Sequence, residues 1–259
     1  MKYFVVADIH GFYDEFIKSI TLAGFDENNK EHMLITLGDN FDRGRQPYQV
    51  YMYLKRLKNK NKCILVKGNH EDLMIDAIDR GYTMYHDVIN GTVKSMCDLV
   101  HEINPNMESS VDDIIECLRK SPIYSFMKNM IDYYETEGFI FVHGFIPVLK
   151  QYNYKTYLND WRNHKEEFKK ARWENGMENV IKYNIKEPGK TIVVGHWHAS
   201  YGNVRKKYPN QSDEIYRYLE YEDDQLFRTY YGDGVIGLDS CTVRSGFVNC
   251  LVIEDNEIE

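Results

Sequence analysis

Short apolar runs separated by amphipathic stretches set the rhythm of this chain. Runs of four or five residues occupy 3–7, 33–37, 63–66, 139–142, 191–194 and 235–238, and several stop abruptly at glycine. That length and that kind of boundary predict buried strands. Between them, apolar residues recur at helical spacing. Phe16, Ile17, Ile20 and Ala23 predict a helix over 13–23, closed by Gly24. Tyr51, Leu54 and Leu57 predict one over 46–57, with Pro47 at its start. Leu73, Met74, Ala77 and Ile78 predict a third over 71–80. Strands alternating with helices in this way read as an α/β fold with parallel strands.

From about residue 88 to 132 the pattern becomes helical only. Helices are expected over 92–103, 111–118 and 122–130, broken at Asn104-Pro105 and Ser121-Pro122. We read this stretch as a small helical cap inserted beside the sheet, within a single domain spanning 1–259. Residues 148–189 are polar and aromatic, with a helix expected over 165–182. The stretch 201–234 is rich in Tyr, Asp and Glu without clear periodicity. It reads as a surface excursion, with a substrate lid as the other reading. Residues 246–253 alternate as a final strand should.

The strand ends carry the chemistry. They read Asp8-Ile9-His10-Gly11, Leu37-Gly38-Asp39-Asn40-Phe41-Asp42-Arg43-Gly44, Lys67-Gly68-Asn69-His70-Glu71, His143-Gly144 and Gly195-His196-Trp197-His198. A buried strand that ends in such a cluster opens its carboxyl end into a crevice. Asp39 and Asn69 each follow a strand-ending Gly by one residue, so neighbouring parallel strands would aim both oxygens into one place. Asp8 and His10 alternate at period two, which puts both on one side of an extended segment. Asp8, His10, Asp39, Asn69, His143, His196 and His198 are thus candidate metal ligands. Seven oxygen and imidazole groups suffice for two ions if one carboxylate bridges, and oxygen ligands suit hard divalent metals.

These five motifs, in this order, resemble the calcineurin-like metallophosphoesterase superfamily. The DRG and GNHE wording resembles its serine/threonine protein phosphatase branch, as does Leu238-Asp239-Ser240 near the end. The resemblance implies two packed mixed β-sheets flanked by helices and two transition-metal ions, manganese first, with iron or zinc also suiting the set. It places Asp8, His10, Asp39 and His198 on one ion and Asp39, Asn69, His143 and His196 on the other, with Asp39 bridging. Such a pair lowers the pKa of a bridging water and clamps phosphate oxygens for in-line attack. The resemblance also makes His70 the acid for the leaving oxygen, held by Asp42, and Arg43 a phosphate clamp. Arg172 is the candidate for a second clamp.

Three departures bear on substrate. The phosphatase branch has HGG where this chain has His143-Gly144-Phe145, which sets a bulky ring beside the expected site. That branch also carries one histidine where this chain has His196 and His198. Bacterial enzymes that split diadenosine tetraphosphate symmetrically lack the Asp of DRG and have GNHD, so Asp42 and Glu71 weigh against that activity, although Gly195-His196-Trp197 resembles them. Trp161 and Trp173 are read as packing residues, and Trp197 as lining the site. Glu71 is read as a support behind the ligands or as a helix-start residue, and Asp239 as an outer neighbour of the metals or a turn.

Composition narrows the surroundings. A formal charge of −8 over 259 residues disfavours a general nucleic-acid or membrane-surface binder. Five scattered cysteines without a CxxC pair suit a reducing cytoplasm better than a disulfide framework. No run approaches a spanning helix, and no signal peptide is expected. The function expected is hydrolysis of phosphate monoesters, on phosphoprotein or a small phosphate ester. A nucleotide or dinucleoside-polyphosphate hydrolase is the alternative; a nuclease and a non-enzymatic metal-binding scaffold are weaker ones.

Overall fold

Alternation along the strands decides where the layers lie. A computed structural model of the chain describes residues 1–106, 110–152 and 154–254. Its strands are β1 (Lys2–Val6), β2 (His32–Thr36), β3 (Cys63–Leu65), β4 (Tyr133–Glu135), β5 (Phe139–Val142), β6 (Val148–Gln151), β7 (Tyr154–Tyr157), β8 (Thr191–His198), β9 (Tyr230–Tyr231), β10 (Val235–Asp239) and β11 (Cys250–Glu254). Its longer helices are α1 (Tyr13–Leu22), α2 (Pro47–Asn59), α3 (Asn69–Arg80), α4 (Tyr85–Ile89), α5 (Thr92–Ile103), α6 (Val111–Lys120), α7 (Pro122–Lys128), α8 (Phe168–Ala171), α9 (Gly176–Tyr183), α10 (Ser200–Lys207), α11 (Asp213–Leu219) and α12 (Thr242–Ser245).

Two mixed sheets form. One has the order β11-β1-β2-β3, the other β4-β5-β8-β10-β9. Strands β1, β2 and β3 run parallel, as do β5, β8 and β10, and the remaining strands of each sheet pair antiparallel. In β1, Tyr3 and Val5 join Ile35, Phe141, Val193 and Leu238 in a core between the sheets. Phe4 and Val6 point the other way, into a core with α1, α2 and α3. Phe141 of β5 and Val193 of β8 face the inter-sheet core, while Ile140, Val142, Ile192 and Val194 pack outward with Met177 and Val180 of α9. The period-two side-chain pattern thus builds a helix–sheet–sheet–helix stack.

The helical insertion is continuous with the first outer core. Met96, Leu99, Ile115, Leu118, Ile123 and Met127 belong to the same buried cluster as Phe4 and Leu54. The insertion begins at Tyr85, slightly before the expected 88. Residues 107–109 within it lie outside the described residues.

Several expectations need correction. The helix expected over 165–182 is two helices, α8 and α9, separated by a turn. Asn175 caps α9 by accepting from Glu178 N–H, and Gly176 sits where an added Cβ would lie 2.6 Å from the Gly144 carbonyl. The excursion 201–234 is ordered as α10, α11, a 3-10 turn (Asp224–Phe227) and β9. Val204, Tyr216 and Leu226 give it a small core of its own. Arg205 lies 3.6 Å from the Tyr201 ring centroid and 4.4 Å from that of Tyr216, and pairs with Asp213 at 2.9 Å. The final strand starts at Cys250, because α12 and a left-handed Gly246 occupy the approach to it. No helix among the described residues is long and apolar enough to cross a membrane.

Candidate active site

The loops leaving β1 and β2 and the end of β8 are unusual in their backbone before any side chain is considered. Among the described residues, ten non-glycine residues have positive φ, and five of them are Asp8, His10, Asp39, Arg43 and His196. Each such conformation costs on the order of 1 kcal/mol or more, and clusters of them mark functional sites. Close backbone approach accompanies the strain. A Cβ on Gly38 would lie 2.4 Å from Gly68 Cα, and one on Gly195 would lie 2.3 Å from Asp8 Oδ2. Gly38 lets the loops after β2 and β3 close on each other, and Gly195 lets β8 press against Asp8 at the end of β1.

Glu71 fastens two of the loops. Its Oε2 accepts from the N–H groups of Asp39 at 2.9 Å and Gly68 at 2.8 Å, while Oε1 accepts from Asn40 N–H at 2.8 Å and Asn40 Nδ2 at 3.1 Å. It is therefore both the N3 residue of α3 and the clamp between the Asp39 and Asn69 segments. Burial, reinforced by nearby Asp39, pushes its pKa up, opposed by the three backbone N–H groups.

Asp39 occupies the centre. Its Oδ2 faces His10 Nε2 and His70 Nε2, each at 3.8 Å, and its Oδ1 faces His143 Nε2 at 3.4 Å. Two triads result, His10–Asp39–His70 and Asp39–His143–His196, with donor atoms in each within 4.8 Å of one another. All these groups are buried except His196, which is half-buried. Asn69 Oδ1 lies 2.7 Å from His143 Nε2, and His143 Nδ1 lies 2.6 Å from the Leu37 carbonyl. Asp8 is held from behind, accepting the His196 N–H at 2.9 and 3.1 Å.

Burial and close neighbours shift the site's titratable groups in opposite directions. Burial and the neighbouring Asp239 carboxylate push the Asp8 pKa up. Burial and the nearby His143 push His196 down to about 3. Burial also lowers His10, against the pull of Asp39. For His143 burial works downward, but Asp39 and Asp8 outweigh it and raise the ring to about 9. Burial would raise Asp39, yet His143 and His70 hold it well below the usual carboxylate range. His10 Nδ1 is buried and without a hydrogen-bond partner among the described residues. Buried oxygen and imidazole donors crowded around one carboxylate, some left unpaired, fit divalent cations in chemistry and spacing.

The other expected residues fall around this core. His70 Nδ1 meets Asp42 Oδ2 at 2.9 Å, so the ring's Nε2 faces the cluster. Burial opposes charge on His70, but Asp39 and the Asp42 hydrogen bond raise its pKa. Arg43 spans the first triad, with Nη1 3.2 Å from His10 Nε2 and Nη2 3.1 Å from His70 Nε2. His198 lies outside both triads, 3.9 Å from Asp239 and beside the Tyr221 and Phe227 rings. Asp239 is a turn residue that accepts the Cys241 N–H, and its carboxylate lies near Asp8.

Three readings change. Arg172 is buried and its guanidinium is committed to Asp72, at 2.7 Å, and to Asp132, so its fork is filled by two carboxylates and not open to phosphate. Phe145 turns its ring into the core with Trp161 and Met177, leaving no bulk over the site. Of the tryptophans only Trp161 is packed away. Trp173 and Trp197 are 48% and 45% exposed, with ring centroids 5.8 and 6.3 Å from that of His196.

Comparison with known proteins agrees with this geometry. The model of the calcineurin-like phosphoesterase family matches residues 1–230. The chain belongs to this family. Its divalent-metal chemistry suits the two triads. Zinc-dependent endopolyphosphatase of Saccharomyces cerevisiae is 40% identical over 78 residues, 29% of this chain and 22% of that protein. The symmetrical bis(5'-nucleosyl)-tetraphosphatase of Wigglesworthia glossinidia brevipalpis is 26% identical over 203 residues, 71% of this chain and 65% of that one. Serine/threonine-protein phosphatase 2 of Escherichia coli is 38% identical over 77 residues, 30% of this chain and 33% of that one. Each match spans less than two thirds of the relative's length. A cold-active protein-tyrosine phosphatase from a Shewanella species shares the fold, with TM-score 0.51 and 15% identity over 98% of this chain and 76% of that one.

Proposed function

We propose that this calcineurin-like phosphoesterase is a dinuclear phosphatase that hydrolyses phosphate monoesters. The observation that carries the reading is Asp39, which presents one carboxylate oxygen to each histidine group. Asp8, His10 and Asp39 would hold one ion, with His198 turning inward from Asp239 to complete it. Asp39, Asn69, His143 and His196 would hold the other, and the donor set suits manganese, iron or zinc. When bound, such ions supply Lewis acidity at phosphate oxygens and lower the pKa of water.

The chain's own residues do the rest. Arg43 swings its fork from His10 and His70 to two oxygens of the phosphate, a planar match that lysine lacks. Asp42 accepts from His70 Nδ1, fixing the ring and favouring its charged form. His70 then releases the Nε2 proton to the leaving oxygen as its bond to phosphorus breaks. Glu71 keeps the Asp39 and Asn69 loops in register. The five free cysteines suit a cytoplasmic setting.

The rival role for His70 is that of a ligand, since it lies in the first triad. Leaving-group dependence separates the two. A serine-like alkoxide needs a proton and nitrophenolate does not, and general acid catalysis is worth about 10²–10⁴-fold. His70→Asn should therefore lose far more kcat/KM on an alkyl phosphate than on nitrophenyl phosphate, with metal content unchanged. Equal losses, or loss of an ion, would make His70 a support of the metal site.

A second reading is favoured by Trp173 and Trp197. Two half-exposed indoles beside His196 could stack a planar base, and four of the similar proteins are named bis(5'-nucleosyl)-tetraphosphatases. Rates on phosphoserine peptide, alkyl phosphate and diadenosine tetraphosphate decide between them. Preference for the dinucleotide, lost in Trp173→Ala or Trp197→Ala, would install the second reading.

A further inference from the structure

The helical insertion touches the catalytic dyad directly. Thr92, the first residue of α5, is fully buried and donates its hydroxyl to Asp42 Oδ2 at 2.7 Å. That oxygen is the one that receives His70 Nδ1 at 2.9 Å, whereas Asp42 Oδ1 is buried with no hydrogen-bond partner among the described residues. Both bonds therefore converge on one oxygen. A hydroxyl at a helix start usually serves its own backbone, but α5 has no side-chain cap and the Thr92 hydroxyl goes to Asp42. Two further contacts tie the same junction to the same loop. Lys94 Nζ donates to the Gly44 carbonyl at 3.1 Å, and a Cβ on Gly91 would lie 3.3 Å from Arg43 Cα. Gly91 holds φ +83, which lets the chain turn into α5 at this closeness.

We propose that Thr92 is a positioning residue for His70, acting through Asp42, and that the insertion is thereby part of the catalytic apparatus. Without the hydroxyl, the Asp42 carboxylate has one bond to fix its torsion and can exchange its two oxygens. His70 then loses the alignment of Nε2 with the leaving oxygen. The idea rests on the reading of His70 as the acid, and the effect should scale with that role.

The test compares kcat/KM on an alkyl phosphate and on nitrophenyl phosphate for the metal-loaded wild type, Thr92→Val, Thr92→Ser, Asp42→Asn and His70→Asn. Metal content and thermal midpoint are measured on each. Thr92→Val keeps the shape and removes the donor. It should lose about tenfold on the alkyl ester, a fraction of the full range for an acid, and less than about twofold on the nitrophenyl ester. Thr92→Ser should restore the loss. Thr92→Ala replaces Thr92→Val if the latter folds poorly. Equal losses on the two esters, no loss on either, or a serine variant no better than valine would overturn the role of Thr92. If His70→Asn itself shows no leaving-group preference, the acid reading has failed first, and the positioning role fails with it. A preference in His70→Asn without one in Thr92→Val refutes Thr92 alone.

Discussion

Two clusters of buried and half-buried charge sit in this protein and are built on opposite plans. Around Glu135, every charge has a counterpart. Arg162 grips Glu135 through Nε at 2.9 Å and Nη2 at 2.6 Å, and reaches Glu187 at 2.7 Å. Lys190 adds a second cation to Glu135 at 2.7 Å, while Tyr157 and Trp161 donate to Glu187. The Arg162 hydrogen bonds take Glu135 down to about 2. At the strand ends, by contrast, Asp8, Asp39 and Asp239 crowd together with several imidazoles and Arg43 as the neighbouring guanidinium. There the Asp8 pKa is driven up and that of His196 down to about 3. The first cluster pairs its charges with one another; the second crowds like charges around Asp39, an arrangement that suits the divalent-metal chemistry of the family. The strained backbone at Asp8, His10, Asp39 and His196 points the same way.

Asp8→Asn should show the largest effect. As a proposed ligand, Asp8 should cost at least about 10²-fold in kcat/KM when neutralised, the scale on which single electrostatic stabilisers act. The metal-free variant should melt no lower than metal-free wild type. The sign follows from the raised pKa: the fold disfavours the charged carboxylate, so removing the charge relieves it. A fall in both activity and metal-free stability would make Asp8 a structural charge.

Metal should act on one cluster alone. Saturating manganese at about 100 times the Kd of each site should stabilise the fold by about 2.7 kcal/mol per ion, about twice that for two ions, and a chelator should reverse this. Calorimetry with and without metal reads it. The increment should vanish in Asp39→Asn and persist in Arg162→Met.

Arg162→Met should give the converse result. It removes one cation from two carboxylates that keep Lys190, Tyr157 and Trp161 as partners, and the guanidinium is about one-third exposed, so the loss is limited to about 1–2 kcal/mol. Denaturant midpoints should fall while kcat/KM stays unchanged. A change in kcat/KM would mean the two clusters are coupled.

The smallest effect is in the pH dependence of that loss. Glu135 has a folded pKa near 2 against an ordinary 4.5, so its stabilisation is fully present above about 4.5 and is lost as pH falls toward 2. The midpoint difference between wild type and Arg162→Met should be constant from pH 7 to 5 and narrow below about 4.5. A gap that widens on acidification would reverse the assigned sign.

Much of this was legible in the residues, and the reasons differ by region. The β1, β2, β5 and β8 strands could be read because each buries a face on two cores, which forces continuous apolar runs. The site motifs could be read because Gly38, Gly68 and Gly195 have steric work to do beside the carboxylate, amide and imidazole they precede. The β6–β7 ribbon could not, since its residues are largely exposed and its apolar positions, Val148-Leu149 and Tyr154 and Tyr157, do not alternate with polar ones. The excursion after β8 escaped for another reason: Arg205 between Tyr201 and Tyr216 organises it, and that contact joins residues distant in pattern. The break at Asn175-Gly176 was visible as a turn dipeptide inside an expected helix. Glu71 could be read only as a support or a helix-start residue, because its four hydrogen bonds need the loops to meet. Thr92 gave no signal, because nothing local distinguishes a hydroxyl aimed at Asp42 from one at any helix start.

The central claim is that the strand-end cluster holds two ions that share Asp39. Elemental analysis of the protein reconstituted with manganese, alongside Asp39→Asn, His10→Ala and His143→Ala, tests it most directly. Wild type should carry two ions per chain, His10→Ala and His143→Ala should each lose mainly one, and Asp39→Asn should be impaired at both. One ion or none in a fully active wild type, or two tightly held ions in Asp39→Asn, would contradict it.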